Sequence, residues 1–147
     1  MTRVGQSVTI RQSAFNAIRF TWQRYAEGVN MGPIVAAATG RLFLLNREYA
    51  GPIPDLSPSV DGFVAMAAAA NDEYVFDETL VLQPGRYWFY SNDQTNSIVA
   101  SNGNRDLYTD GEMYALGPNN RFVVYFPNGV TTERVDANFV LRGRPVQ

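Results

Sequence analysis

Ile18-Arg19-Phe20-Thr21-Trp22-Gln23 is the stretch that decides the fold class. Large apolar side chains at 18, 20 and 22 alternate with Arg19, Thr21 and Gln23. In an extended chain successive side chains point to opposite faces, so a period of two marks a half-buried β-strand. The same alternation recurs upstream, where Val8 and Ile10 share a face within residues 7–11. It recurs near the end, where Phe139 and Leu141 share a face within residues 137–142.

Between these strands the chain reads as short apolar runs separated by Gly, Pro, Asn and Asp. Residues 40–46 carry Leu42-Phe43-Leu44-Leu45, a continuous run suited to a core strand. Residues 62–70 are rich in Ala and read either as a strand or as a short helical turn, closed by Asn71-Asp72. Residues 73–76 are strand-like. Residues 78–90 read as a hairpin: Pro84 presets φ for one central position of a turn, and Gly85 supplies a positive φ at the next. Further strands are expected at 97–100, 112–115 and 121–126, with turns at 28–33, 50–55, 102–104 and 117–120. Asn128-Gly129 is the strongest hairpin-turn dipeptide in the chain. No repeat of fixed period is visible. The expectation is one all-β domain over residues 1–147, an antiparallel β-sandwich of jelly-roll type with about eight to ten short strands.

Composition agrees with one well-filled core. The chain has 147 residues, and aromatic residues make up 13% of it. A domain of this size buries roughly 70% of the surface its unfolded chain exposes, so it needs no covalent staple. The net charge is −2, which offers no basic field for a nucleic acid. No apolar window is long enough to span a membrane, and the first residues carry no apolar run of the kind a secretory signal needs.

Cys, His and Lys are absent. Thiolate nucleophiles, Cys-ligated zinc, Schiff-base chemistry and the commonest general base go with them. Ser and Thr therefore lack an activating partner. Acid–base catalysis would need paired carboxylates, for which Asp72-Glu73, Asp77-Glu78 and Asp106 with Asp110 are the candidates. Each pair sits beside a turn or strand end, where solvated acids are common, and the chain is expected not to be an enzyme. Oxygen-bearing side chains at Asn102, Asn104, Asp106, Asp110 and Glu112 form a Ca2+ candidate in a Gly-containing loop. The EF-hand pattern fails there, because its twelfth position is Met113 and no helix flanks the loop.

In residues 86–90, alternation places Tyr87 and Phe89 on one face and Trp88 and Tyr90 on the other. If one face is exposed, Trp88 and Tyr90 with Asn92 and Asp93 form a candidate surface for glycan or for a protein partner. The alternative is that both faces are covered, one by a second sheet and one by a neighbouring subunit. The aromatic content and the all-Arg set of cations suit an interface, and the chain is expected to self-associate.

The order of these features resembles jelly-roll accessory domains of phage virion proteins and bacterial surface proteins. The resemblance rests on Gln6 to Arg11, on Ile18-Arg19-Phe20-Thr21-Trp22 and on Gly40-Arg41-Leu42-Phe43-Leu44. It continues through Leu80-Val81-Leu82-Gln83-Pro84-Gly85-Arg86-Tyr87-Trp88-Phe89 and closes on Asp136-Ala137-Asn138-Phe139-Val140-Leu141-Arg142-Gly143. It implies a particle-decorating or sugar-binding module; the small size, the start without a signal and the missing catalytic groups add the expectation of a capsid decoration, head fibre, spike or tail-associated protein. Its partners would be other virion proteins, further copies of itself or host surface glycan, and its location a virion assembled in the host cytoplasm. No site residues carry over, because such domains share no single site motif.

Overall fold

A computed structural model describes residues 4–25, 33–35, 40–91, 111, 113–124 and 139–146. It is all-β apart from two short 3-10 turns. The strands are β1 (Val4–Ile10), β2 (Phe15–Tyr25), β3 (Pro33–Val35), β4 (Arg41–Leu45), β5 (Phe63–Ala70), β6 (Glu73–Val75), β7 (Gly85–Ser91), β8 (Met113–Leu116), β9 (Phe122–Val124) and β10 (Phe139–Pro145). Every described pairing is antiparallel. Pairing runs through one continuous open sheet, β10-β2-β6-β5-β4-β7-β1-β8-β9, with β3 joined to β2. The antiparallel all-β expectation holds; the strands form this single path rather than two separate sheets.

The path does not lie flat. Phe20 on β2 stacks on Phe89 on β7 with ring centroids 4.7 Å apart. Three strands, β6, β5 and β4, lie between them in the sheet. In a flat sheet that separation would be about 19 Å, at roughly 4.8 Å per strand. The sheet therefore curls until its two halves face each other. The corner is β5. Its first part, Phe63 to Ala68, pairs with β4, and Ala69 and Ala70 pair with β6. An Ala run suits a corner, because methyl groups leave room for the backbone to turn from one partner to the next. Residues 62–70 are thus a strand, and Asn71 and Asp72 close the β5–β6 hairpin with φ of 53° and 64°. Two successive positive φ values are what a two-residue type I′ turn requires.

The curl encloses the main core. Ile18, Phe20 and Trp22 are all buried there, as their alternation requires, beside Val8, Leu42, Leu44, Tyr74, Phe76, Leu82 and Phe89. Phe20 is its centre, in ring contact with Trp22, Phe89 and Phe139. The continuous run in β4 faces both ways: Leu42 and Leu44 enter this core, while Phe43 and Leu45 enter a second one.

Phe15 joins the main core as well, although it is three residues from Ile18. A β-bulge in β2 permits this. Arg19 pairs with Arg142 and Asn16 with Arg144, so β2 has one residue more than β10 in this interval. Ala17 takes up the excess at φ 51°, a left-handed conformation unfavourable for a residue with a side chain. Gly143 lies opposite; a Cβ there would come within 3.0 Å of Ile18 Cδ1.

The hairpin expected over residues 78–90 is not formed. β7 begins at Gly85, but its two edges are taken by β1 and β4. A strand has only two edges, so residues 78–82 cannot pair with it. They cross to β2 instead, where Leu82 and Phe15 exchange both backbone hydrogen bonds, at 2.8 and 3.0 Å. Leu82 is buried and Val81 is 40% exposed. The expected turn at 117–120 is present between β8 and β9. The strand expected at 97–100, the 102–104 turn and the Asn128-Gly129 turn lie outside the described residues.

Two outcomes follow from this packing. Phe20→Ala is expected to cost about 3–5 kcal/mol in urea unfolding, whereas Val81→Ala should cost under about 0.5 kcal/mol. Ala17→Gly removes the left-handed penalty and should raise the urea midpoint, by up to about 1 kcal/mol of stability; a lowered midpoint would contradict the bulge.

Candidate functional site

The alternation in β7 has a consequence for its aromatic residues. Tyr87 and Phe89 face the main core. Trp88 and Tyr90 face the second core with Phe43, Leu45, Tyr49, Ile53, Leu56, Tyr114 and Phe122. That second core is roofed by the chain itself. The segment from Tyr49 to Leu56 folds over the sheet, with a 3-10 turn at Ile53–Asp55. The Tyr49 hydroxyl donates to the Pro52 carbonyl within the segment at 2.5 Å, and the Arg121 guanidinium donates to the Ala50 carbonyl and holds the segment's first half against the sheet. Both faces of β7 therefore pack against the chain itself, with residues 49–56 contributing to the cover on the second side.

This corrects the reading of Tyr90 as an exposed contact residue. Tyr90 is fully buried, packed against Tyr49, Tyr114 and Phe122. Its hydroxyl accepts a hydrogen bond from the Tyr49 amide at 3.1 Å. Burial pushes its phenol well above the ordinary value; the Tyr49 amide offsets part of that, and Tyr114 and Glu48 add to it. Gly5 on β1 sits beneath the ring, and a Cβ there would come within 2.5 Å of Tyr90 Cδ1. The Gly5 site is what admits the ring.

Trp88 is half-buried. Its indole N–H donates to the Tyr114 hydroxyl at 3.1 Å, and that hydroxyl donates to Glu48 Oε2 at 3.0 Å. The Arg86 guanidinium lies 5.5 Å from the centre of the Trp88 ring and donates to Ser7 Oγ at 3.2 Å. One side of the indole is thus occupied by a cation. The relay ends at a cleft of about 430 Å3 lined by Arg47, Glu48, Tyr49, Ala50, Gly51, Val60 and Asp61. Of the candidate contact set, Trp88 connects to this cleft through Tyr114 and Glu48, and Tyr90 lies beneath it; Asn92 and Asp93 lie outside the described residues. Sequence reasoning missed Glu48 and Tyr114. The signal for them is tertiary, since residues 48, 88 and 114 meet only through the sheet.

The carboxylate pairs have other partners. Glu73 accepts from Arg19 at 3.2 Å and from Arg142 at 2.5 Å. Asp77 accepts from the Thr79 hydroxyl at 2.6 Å and the Thr79 amide at 2.8 Å, and both bonds hold its carboxyl below the usual range. That is a turn-forming arrangement. Asn102, Asn104, Asp106 and Asp110, the Ca2+ candidates, lie outside the described residues, as does Glu112. Among the described residues no group of three or more acidic side chains has metal-holding geometry, and no helix is long and apolar enough to cross a membrane. No family model, curated protein or solved structure matches the chain.

The buried phenol predicts an alkaline response. The folded state keeps the Tyr90 proton to higher pH than the unfolded state, whose phenols ionise near 10.0. The unfolded chain then sheds protons first, so stability is full below that pH and falls as pH rises above it. Tyr49 and Tyr87, both raised mainly by burial, act in the same direction. Urea unfolding from about pH 8 to about pH 11 should show this decline, and Tyr90→Phe should flatten it while costing about 1–3 kcal/mol at neutral pH through the orphaned Tyr49 amide.

Proposed function

We infer that the chain is a non-enzymatic structural component of a virion or phage-like particle, a jelly-roll-like sandwich that acts by protein–protein docking. The observation that carries this reading is the outer face of the β10-β2-β6 half. Arg19 on β2 stands beside Val75 on β6 and Arg142 on β10, and Thr21 stands beside Val140. Val75 and Val140 are each 36% exposed. Between them run the Arg19–Glu73 and Arg142–Glu73 ion pairs. Both pairs share the Glu73 carboxylate, whose side chain is 15% exposed. Apolar side chains interleaved with Arg match the make-up of a protein interface. On the opposite layer residues 49–56 cover much of the described sheet, leaving Trp88 half-buried and Val123 on β9 42% exposed.

A second reading is a carbohydrate-binding module. It is supported by the Trp88–Tyr114–Glu48 relay, which places a carboxylate and a phenol beside the 430 Å3 cleft. The Arg86 guanidinium against the Trp88 ring weakens it, since a sugar would have to share that indole.

Density-gradient fractionation of particles from the producing culture should recover the chain on particles, and Val75→Asp with Val140→Asp should release it without changing the circular dichroism spectrum. Recovery only in the free protein fraction would sink the particle reading. Glycan-array binding that disappears in Trp88→Ala, with the fold retained, would favour the carbohydrate reading instead.

A further inference from the structure

The docking face concentrates positive charge at the β2 bulge. The cleft there has a volume of about 360 Å3 and is lined by Ala17, Arg19, Glu78, Arg142, Gly143 and Arg144. Arg142 and Arg144 lie two residues apart on β10, so they project from the same side of the strand. Arg19 stands opposite Arg142. Glu73, whose side chain is only 15% exposed, accepts from both Arg19 and Arg142 and holds the two guanidinium groups side by side against their mutual repulsion. Arg144 makes no ion pair among the described residues. Three guanidinium groups thus meet the carboxylates of Glu73 and Glu78, and one positive charge is left over.

A guanidinium fork recognises oxyanions by paired hydrogen bonds. Three classes of ligand that could meet these guanidinium groups differ in what else they require. A sugar needs a ring face to stack on, and the described lining has none. A nucleic acid needs an extended basic field, and the chain's net charge is −2. An acidic protein segment needs only carboxylates at the right repeat. Side chains two apart in an extended strand recur at about 7 Å, which is also the repeat between Arg142 and Arg144. We propose that this cleft receives the carboxylate side chains of an extended acidic segment of a partner protein, in which acidic residues alternate with others. Opposite charges facing each other across neighbouring strands are favourable in that arrangement. The inference rests on the docking reading and specifies the chemistry of the partner.

Fluorescence anisotropy with a labelled peptide of alternating Glu and Gly tests it, with a Gln–Gly peptide as control. The Glu peptide should bind and the Gln peptide should not. Arg144→Ala, which breaks no ion pair among the described residues, should weaken binding by about tenfold, the scale of a lost charge-assisted hydrogen bond. Binding should vanish when ionic strength rises from about 0.1 M to about 1 M, as the screening length shrinks from about 10 Å to about 3 Å. Arg47→Ala, in the other cleft, should leave it unchanged. Equal binding by wild type and Arg144→Ala, equal loss in Arg47→Ala, or tighter binding of a sulfated heparin disaccharide than of the peptide would each overturn the proposal. Peptide binding that depends on Arg144, in a chain absent from particles, would reject the particle reading alone. A chain on particles whose peptide binding ignores Arg144 would reject this inference alone.

Discussion

The stack of Phe20 on Phe89 is the contact on which the rest of the structure depends. It joins strands that the sheet path separates by three others, so it exists only if the sheet curls. Once the curl is made, Trp22, Phe76 and Phe139 close around the same pair of rings. A single open sheet of this length would otherwise leave an apolar face in water. Burying that face is the dominant favourable contribution to folding, and here it is achieved by folding one sheet onto itself at an Ala-lined corner.

The second core answers a different problem. A strand such as β4, apolar on both faces, needs cover on both sides. The curl supplies one side and the Tyr49–Leu56 segment supplies the other. Because a loop buries backbone polar groups poorly, it has to satisfy them locally. Tyr49, Arg121 and the Ile53–Asp55 turn do this. The same cover removes Tyr90 from solvent and leaves Trp88 partly reachable, whereas the outer side of β10-β2-β6 carries exposed Val75 and Val140 beside Arg19 and Arg142. There the bulge at Ala17 serves packing and surface together. It turns both Phe15 and Ile18 inward, and it opens the cleft into which Arg19, Arg142 and Arg144 project.

What the amino-acid sequence determined by itself is the facing of individual strands. Alternation at Ile18, Phe20 and Trp22 sorts inside from outside because side-chain direction in a strand is a local property of the backbone. The run Leu42-Phe43-Leu44-Leu45 marks a core strand, and Asn71-Asp72 marks the end of the Ala-rich run, for equally local reasons. Only the tertiary structure decided which edges meet. Pro84-Gly85 is a sound turn signal, yet β7 gives both its edges to the distant strands β1 and β4, and Leu82 pairs with Phe15 instead. Whether Trp88 and Tyr90 are exposed, whether Ala17 bulges, and which residues join Glu48 to Trp88 depend likewise on segments far apart in the chain. Strand pairing and face covering are contests among all the edges and faces of the fold, and no local stretch contains the competitors.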